Sequence, residues 1–477
     1  MVVSMNSDSN GRGTSPRASR RTFIKVAGAS GIAGLSGCSG GGDESDDGNG
    51  AATGTNGSDI SGQEVHLLSQ ENSEPFQEYW ESLAADFEDE TGASVRIEYI
   101  GETGSAQERI IQLLQSNDPP EVAQVVVPNA ATFGSQGVLA DHSEVINTLE
   151  ERYGALPEQF LFEFDGDNTF VPNHQTIHSQ WYREDVFDEV PNTWEKELAM
   201  AREHDDGQGG TRGAFLSNAS ELGEPTFSLF TRGWGNDAVV CQRDDNDNVQ
   251  VVMDEEPYRS RWIEVFEHVQ ELAQYSPDNT GVDYTDLFDA MEQELTYQLY
   301  IYGSRGKDTD SNDFVENIRN TTAPVPEEKY EEGGRRSWAN TTGYLTFRGS
   351  NEQAGQEFLK FWTRPENYYE FFTITPVHLL PTQPQILEDS EFQDQLQEAL
   401  GPQWDYERDV VDLVEMANTS FDIPLETNPP NPYAGPIFSS FELGKIQRDI
   451  LIDGRNIEEA IDARAQNMQG IIDETQI

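Results

Sequence analysis

From Gln63 to Asn129 the chain alternates two hydrophobic periods, and that alternation limits the folds open to it more than any other feature. "QEVHLLSQ" (63–70) is an apolar run of strand length. "EPFQEYWESLAADFEDETG" (74–92) then spaces Phe76, Trp80, Leu83, Ala84 and Phe87 three and four apart, which makes one helix face apolar, and Gly92 stops it. "ASVRIEYIG" (93–101) returns to strand alternation and "SAQERIIQLLQ" (105–115) to helix; after Pro119-Pro120, "EVAQVVVPN" (121–129) reads as an apolar strand and "FGSQGVLADHSEVI" (133–146) as loop and helix. The order β-α-β-α-β predicts an open sheet covered by helices. From Phe164 to Glu189, "FDGDNTFVPNHQTIHSQWYREDVFDE" adds a hairpin turn, an extended stretch and a second strand that leads into a helix.

A chain of 477 residues is too long for one ordinary core and is expected to divide into two lobes. The 24 Phe, 16 Tyr and 8 Trp, spread along the chain, argue for a packed interior despite 35% hydrophobic content. Lys+Arg 30 against Asp+Glu 87 gives a net charge of -57. Such a surface excludes nucleic acid, whose phosphates require basic groups. Only six of the basic residues are lysine, and this acidic, lysine-poor composition resembles proteins of extreme halophiles, in which concentrated salt screens self-repulsion.

The N-terminal stretch "ASRRTFIKVAGASGIAGLSGCSG" (18–40) has a different character from the rest. Its apolar part, Val26–Gly37, is far shorter than the roughly 20 residues of a membrane span. Arg20 and Arg21 in "SRRTFIK" resemble a twin-arginine (Tat) export signal, and "LSGC" ending at Cys38 resembles a lipobox, whose cysteine becomes the lipidated first residue of the mature chain. Residues 1–37 are therefore read as a signal peptide. Residues 38–62, Gly-, Ser- and Asp-rich, are read as a flexible tether from membrane to domain. Loss of the signal, with five basic groups and Asp8, takes the charge to about -61. With Cys38 lipidated, Cys241 has no disulfide partner.

Taken in order, several segments resemble the extracellular solute-binding proteins of ABC importers, family 1, the maltose-binding-like group. "FEDETGASVRIEY" is similar to that family's first helix and second strand, "PPEVAQVVVPN" to the strand before its ligand loop, and "FDGDNTFVP" to its "dGk-y-iP" hairpin. "QWYREDVFDEVPNTWEKELAMARE" resembles "YYNkdlF-PkTWdEl", the most specific match; "GWGND", "GYLTFRGSNEQAGQEFLKFWTRPENYYEFF", "LLPT" and "LIDGRNIEEAIDARAQNMQGII" complete the series. The resemblance implies an α/β, two-lobed periplasmic-binding-protein-like fold of type II, with discontinuous lobes, hinge crossovers and an interlobe ligand cleft. Lobe 1 would comprise 63–173 and 343–382, and lobe 2 174–342 and 383–477. It further implies a monomer that hands a small solute to the transmembrane subunits of an ABC permease, without enzymatic activity, cofactor or metal.

Catalytic signatures are missing: the sequence holds no GxSxG, HExxH, P-loop or CxxC. His174 and His178 are four apart on a stretch read as extended, too far apart to chelate readily. "DDNDNVQVVMDE" puts Asp244, Asn246, Asn248 and Glu255 at calcium-loop positions, but Val249 stands where the loop needs glycine, so a polar hairpin turn is favoured.

Sugars offer apolar C–H faces and a rim of hydroxyls, and their sites combine flat rings with polar side chains. Rings beside turns are Trp181, Trp234, Tyr302, Trp338 and Tyr433. The resemblance places Trp234 on the family's Gly-rich turn, Tyr302 in a cleft loop where Arg305 replaces the family's aromatic, Trp338 and Asn340 before a strand that presents ligand contacts, and Tyr433 near a lobe-two helix bearing a stacking ring. Polar candidates are Gln70 and Glu71 at the end of the first strand, Asn129 after the third, and Gln175 past the first crossover, since open α/β sheets bind ligands at strand ends. The reading is of a lipid-anchored receptor on the outer face of the membrane that captures a mono- or oligosaccharide. A receptor for a polyamine, iron, thiamine or peptide, a secreted glycan hydrolase or lyase, and a sensory or adhesive surface protein are the alternatives. The charge also makes a prediction: lowering salt from molar to millimolar should partly unfold the protein, seen as loss of far-ultraviolet circular dichroism.

Overall fold

The computed structural model describes residues 60–100, 103–164, 166–207, 209–218, 223–277, 284–302, 312–333, 337–417, 426–427 and 430–475. Arg20, Arg21 and Cys38 lie outside them. In chain order the elements are β1 (Glu64–Ser69), α1 (Glu74–Thr91), β2 (Ser94–Tyr99), α2 (Thr103–Gln115), β3 (Val122–Val126), α3 (Val127–Ser135), α4 (Ser143–Tyr153), β4 (Glu163–Phe164), β5 (Asp167–Asn168), β6 (Val171–Arg183) and α5 (Trp194–Glu203). Next come α6 (Glu224–Gly235), β7 (Cys241–Arg243), β8 (Val249–Val251), α7 (Tyr258–Leu272), α8 (Tyr284–Glu292), β9 (Gln298–Tyr302), α9 (Asn312–Asn317), β10 (Ile318–Thr321), α10 (Glu327–Glu331) and β11 (Trp338–Leu345). The chain ends with α11 (Glu352–Trp362), α12 (Pro365–Ile374), β12 (Leu380–Pro381), α13 (Ser390–Leu400), α14 (Asp412–Ala417), α15 (Ala434–Ser439), α16 (Glu442–Leu451) and α17 (Ile457–Glu474).

The early elements follow the hydrophobic periods. In α1 Phe76, Tyr79, Trp80, Leu83 and Phe87 are buried, with Ala84 only at the edge of the stripe, and Gly92 closes the helix in the left-handed region at φ 72°. One expectation needs correction. The apolar run to Asn129 predicts a longer strand and the stretch opening at Phe133 a loop, but the chain turns at Val126 directly into α3, which runs to Ser135. Pro128 sits in the first helical turn, where its fixed φ suits the helix and no N–H is missed.

Eight strands make one mixed sheet in the order β10-β6-β11-β3-β1-β2, with β9 and β12 also paired to β6. β1 is parallel to β2 and β3, whereas β11 runs antiparallel to both β3 and β6. The extended stretch and second strand expected after Phe170 are a single strand, β6, of 13 residues, all buried. Its first half lies between β11 and β12, and its second half between β9 and β10. The expected boundaries at 173/174 and 342/343 fall inside β6 and β11. At the closest crossing a Cβ on Gly343 would lie 2.3 Å from the Val171 carbonyl oxygen, so only glycine fits.

Three large hydrophobic clusters fill the fold. Side-chain alternation sends Val65 and Leu67 of β1 into one with Trp80, Phe87, Phe358 and Trp362, and Leu68 into another with Ile110, Phe133 and Phe170. The first cluster also takes in Leu299 and Ile318 from 174–342, and Phe392 and Leu413 from 383–477. The remaining cluster joins Trp194, Phe230, Trp262, Ile437, Ile446 and Met468 from α5, α6, α7 and α15–α17.

That last cluster encloses a charged network. Arg232 Nη1 and Nη2 donate to Glu197 Oε2 and Oε1 at 2.9 and 2.8 Å, and His268 Nε2 lies 2.8 Å from Glu197 Oε2. The Trp194 ring stacks on His268 at 4.6 Å, and Arg232 lies over the Tyr300 ring at 5.5 Å. Burial alone would push the Glu197 carboxyl up, but Arg232 and His268 overcome it and hold it down to about 2, against an ordinary 4.5. A depressed carboxyl contributes stability above its unfolded pKa and loses it as pH falls through the folded one. In Glu197→Gln, which leaves Arg232 buried and unpaired, stability should drop by about 3–5 kcal/mol at pH 7. The gap to wild type should shrink between pH 4.5 and pH 2, read by urea unfolding in molar salt.

Candidate functional site

Where α3 meets α15 two helices approach more closely than side chains normally allow. The Gly435 N–H donates to Thr132 Oγ1 at 3.2 Å, and the Thr132 hydroxyl donates to the Pro128 carbonyl at 3.2 Å. A Cβ at position 435 would stand 2.8 Å from Asn129 Oδ1, 2.8 Å from Thr132 Oγ1 and 3.2 Å from the Pro128 oxygen. Ser439, one turn further along α15, donates to Gln107 Oε1 of α2 at 3.5 Å. Tyr433, half-buried, stands at the N-terminal cap of α15, and its N–H donates to Asn431 Oδ1 in the preceding loop at 2.9 Å.

Beneath this contact Asn129 is wholly buried, and neither atom of its amide has a hydrogen-bond partner. Trp338 Nε1, Asn340 Oδ1 and Gln124 Nε2 are buried and unpartnered as well. Backbone register ties them together: β3 carries Gln124 and leads into α3, and β11, which begins at Trp338, pairs with β3 through Thr342 and Val126. A buried donor or acceptor without a partner costs about 1–3 kcal/mol, which makes these four residues candidates for contact with a polar guest.

Gln124 also organises the adjoining strand end. Its Oε1 accepts from the Gln70 N–H at 2.8 Å and from Ser69 Oγ at 3.3 Å, while Gln70 Nε2 donates to its carbonyl at 2.8 Å. Gln70 and Glu71, both half-buried, are thereby fixed beside the same strand end. Gln175 is buried, and its Nε2 donates to the Pro381 carbonyl at 3.3 Å, fastening β12 to β6.

The aromatic candidates fare differently from one another. Trp181 is fully buried in the core cluster that holds Leu299 and Ile318, and offers no bare face for stacking. Trp234 is buried likewise: it packs on Phe230 at 5.4 Å and donates Nε1 to Glu426 at 2.9 Å. Trp338 lies in the site, but its ring is 1% exposed, stacked on Phe227 at 4.7 Å and abutted by His178 at 5.0 Å. Burial holds the His178 imidazole well below its ordinary value, so it packs as a neutral ring. The backbone of Tyr302 pairs with His178 at the end of β9, and its side chain lies outside the described residues, as does Arg305.

Gln124, Thr132, Phe227 and Gly435 were not singled out from sequence. Only Gln124 left a signal there, a lone amide inside the apolar run "EVAQVVV". The other features weighed from sequence are occupied with structural contacts. Asp244 Oδ1 accepts the N–H groups of Asn246 and Asn248 within the β7–β8 turn, His174 packs against Phe371, and no group of three metal-ligating side chains occurs among the described residues. A recess of about 660 Å³ bordered by Asp205, Arg212 and Gln274 shares no residue with the candidate set.

This architecture is that of two-lobed solute-binding proteins. Residues 82–398 match the family described as bacterial extracellular solute-binding protein, and the chain belongs to that family. No curated protein matches it in sequence. Among solved structures it is similar to an ABC transporter solute-binding protein of Thermotoga lettingae TMO bound with α-D-tagatose, at 16% identity over 86% of this chain and 100% of that one, TM-score 0.66. It is similar also to a maltotriose-binding protein of Thermus thermophilus, at 15% identity over 86% and 100%, TM-score 0.63. A third is an ABC transporter solute-binding protein of Agrobacterium radiobacter K84 in complex with ribitol, at 14% identity over 87% and 100%, TM-score 0.65. No helix among the described residues is long and apolar enough to cross a membrane.

The orphaned amide gives a direct test. Asn129→Leu, which removes the unpaired groups and keeps the branched shape, should raise the stability of the ligand-free protein by about 1 kcal/mol, measured by denaturant unfolding in molar salt.

Proposed function

We propose that this protein is the carbohydrate receptor of an ABC importer, exported by the Tat route, tied through Cys38 to the outer face of the membrane, and acting as a monomer that delivers its solute to the permease. The observation that carries the reading is the set of buried, neutral and unpartnered groups on Asn129, Trp338, Asn340 and Gln124. Each hydroxyl of a sugar both donates and accepts, and suits amides and an indole N–H that have no other partner. A metal or a polyamine would call for buried carboxylates, which these residues do not supply. The tagatose, maltotriose and ribitol carried by the similar structures agree with this chemistry.

In the proposed cycle β6 and β11 act as the hinge crossovers. A ligand that bonds to both sides of the α3–α15 junction binds the closed arrangement better than the open one and shifts the population by that difference. Closure is the signal the permease reads, and no covalent step is required. Gln70, Glu71 and Tyr433 complete the polar rim. Small-angle scattering in molar salt should show a smaller radius of gyration when the cognate carbohydrate saturates the protein, and Asn129→Leu should weaken that binding. Compaction by spermidine but by no sugar or polyol would replace this reading with the polyamine one.

A further inference from the structure

The rings and the glycine contact together set the size of the guest. A receptor that reads a sugar chain unit by unit needs several bare aromatic faces and an open path for the chain. Here Phe227 lies against Trp338 at 4.7 Å and 19° between ring planes, and against Phe438 at 5.3 Å and 16°, a continuous stack within the protein itself. Trp338 is left as a wall that offers its Nε1 and no open face. Trp181 and Trp234 belong to the cores. Between α3 and α15 the path is shut by the Gly435–Thr132 hydrogen bond, at a separation that does not admit even one methyl group. Gly435 and Phe438 are three residues apart on one helical turn, so the shut path and the filled ring stack border the same end of the site.

We infer that the site takes a single sugar ring or an open-chain polyol of similar size, with Gly435 and Thr132 as its end stop and Phe227 as the filler that keeps Trp338 from acting as a second platform. This rests on the carbohydrate reading above. The unpartnered groups fit one unit: Asn129 supplies donors and an acceptor, Trp338 and Gln124 supply further donors, and Asn340 an acceptor, enough for the neighbouring hydroxyls of one ring.

Calorimetry on the full chain in molar salt tests it, with glucose, galactose, fructose, ribitol, mannitol, maltose, maltotriose and cellotriose as probes. At least one single-unit probe should bind, with the three-unit sugars at least about tenfold weaker. Gly435→Ala, which pushes α15 off α3, should weaken the single-unit probe by about tenfold. Phe227→Ala, which uncovers the Trp338 face, should narrow the difference between maltotriose and the single-unit probe. Should the glycine variant fail to fold, the Phe227 variant and the probe series decide. Trisaccharides that bind as tightly as single units overturn this inference and leave the carbohydrate reading standing, as does unchanged binding in both variants. No heat from any sugar or polyol overturns both.

Discussion

The fold depends on a strand that is buried from end to end yet carries mostly polar side chains. Water does not reach β6, and several of its polar groups are held by partners within the protein. The partners come from distant parts of the chain: Asn173 Nδ2 donates to the Tyr344 hydroxyl, Thr176 Oγ1 to the His378 carbonyl, and Gln180 Nε2 to Gln298 Oε1. Each bond fixes where a later segment must return, at β11, beside β12 and at β9 respectively. Register in the centre of the molecule is thus set by polar matching as well as by apolar packing. The strand is therefore the template on which the returning chain is assembled.

Electrostatics divide the protein in the same way. Outside, acids outnumber bases and are left to solvent and salt. Inside, Arg232 is held by a two-pronged contact on Glu197, and half-buried Arg464 grips Asp449 and Glu442 in the same way. The planar guanidinium suits this use, since it matches a carboxylate bond for bond and stays charged when buried. Lysine, which does neither, takes positions at the surface or on its edge, such as Lys329 and Lys360.

Much of the architecture was legible in sequence wherever a local period decides structure. Helix α1 and strands β1 to β3 announce themselves because apolar side chains must fall on one face or alternate between two. Helix α3 was not legible: "VPNAATFGSQG" carries proline, asparagine and two glycines, all loop-formers in isolation, and becomes helical because it is packed from every side. The candidate site was legible in part. Strand ends drew attention to Asn129 and Gln70, and resemblance drew it to Trp338 and Asn340. A tryptophan beside a turn says nothing about which way it faces, however, and Trp181 and Trp234 face inward. The Gly435–Thr132 bond joins positions 303 residues apart, and no local pattern encodes such a meeting.

The bare amide of Asn129 has a consequence for the reliability of the proposed receptor. In the proposed cycle, shutting the lobes on an empty cleft would strip that amide of water and give nothing back, whereas shutting them on a hydroxyl-bearing guest would return the bonds. On the proposed reading, an idle molecule would thereby be held away from the closed posture.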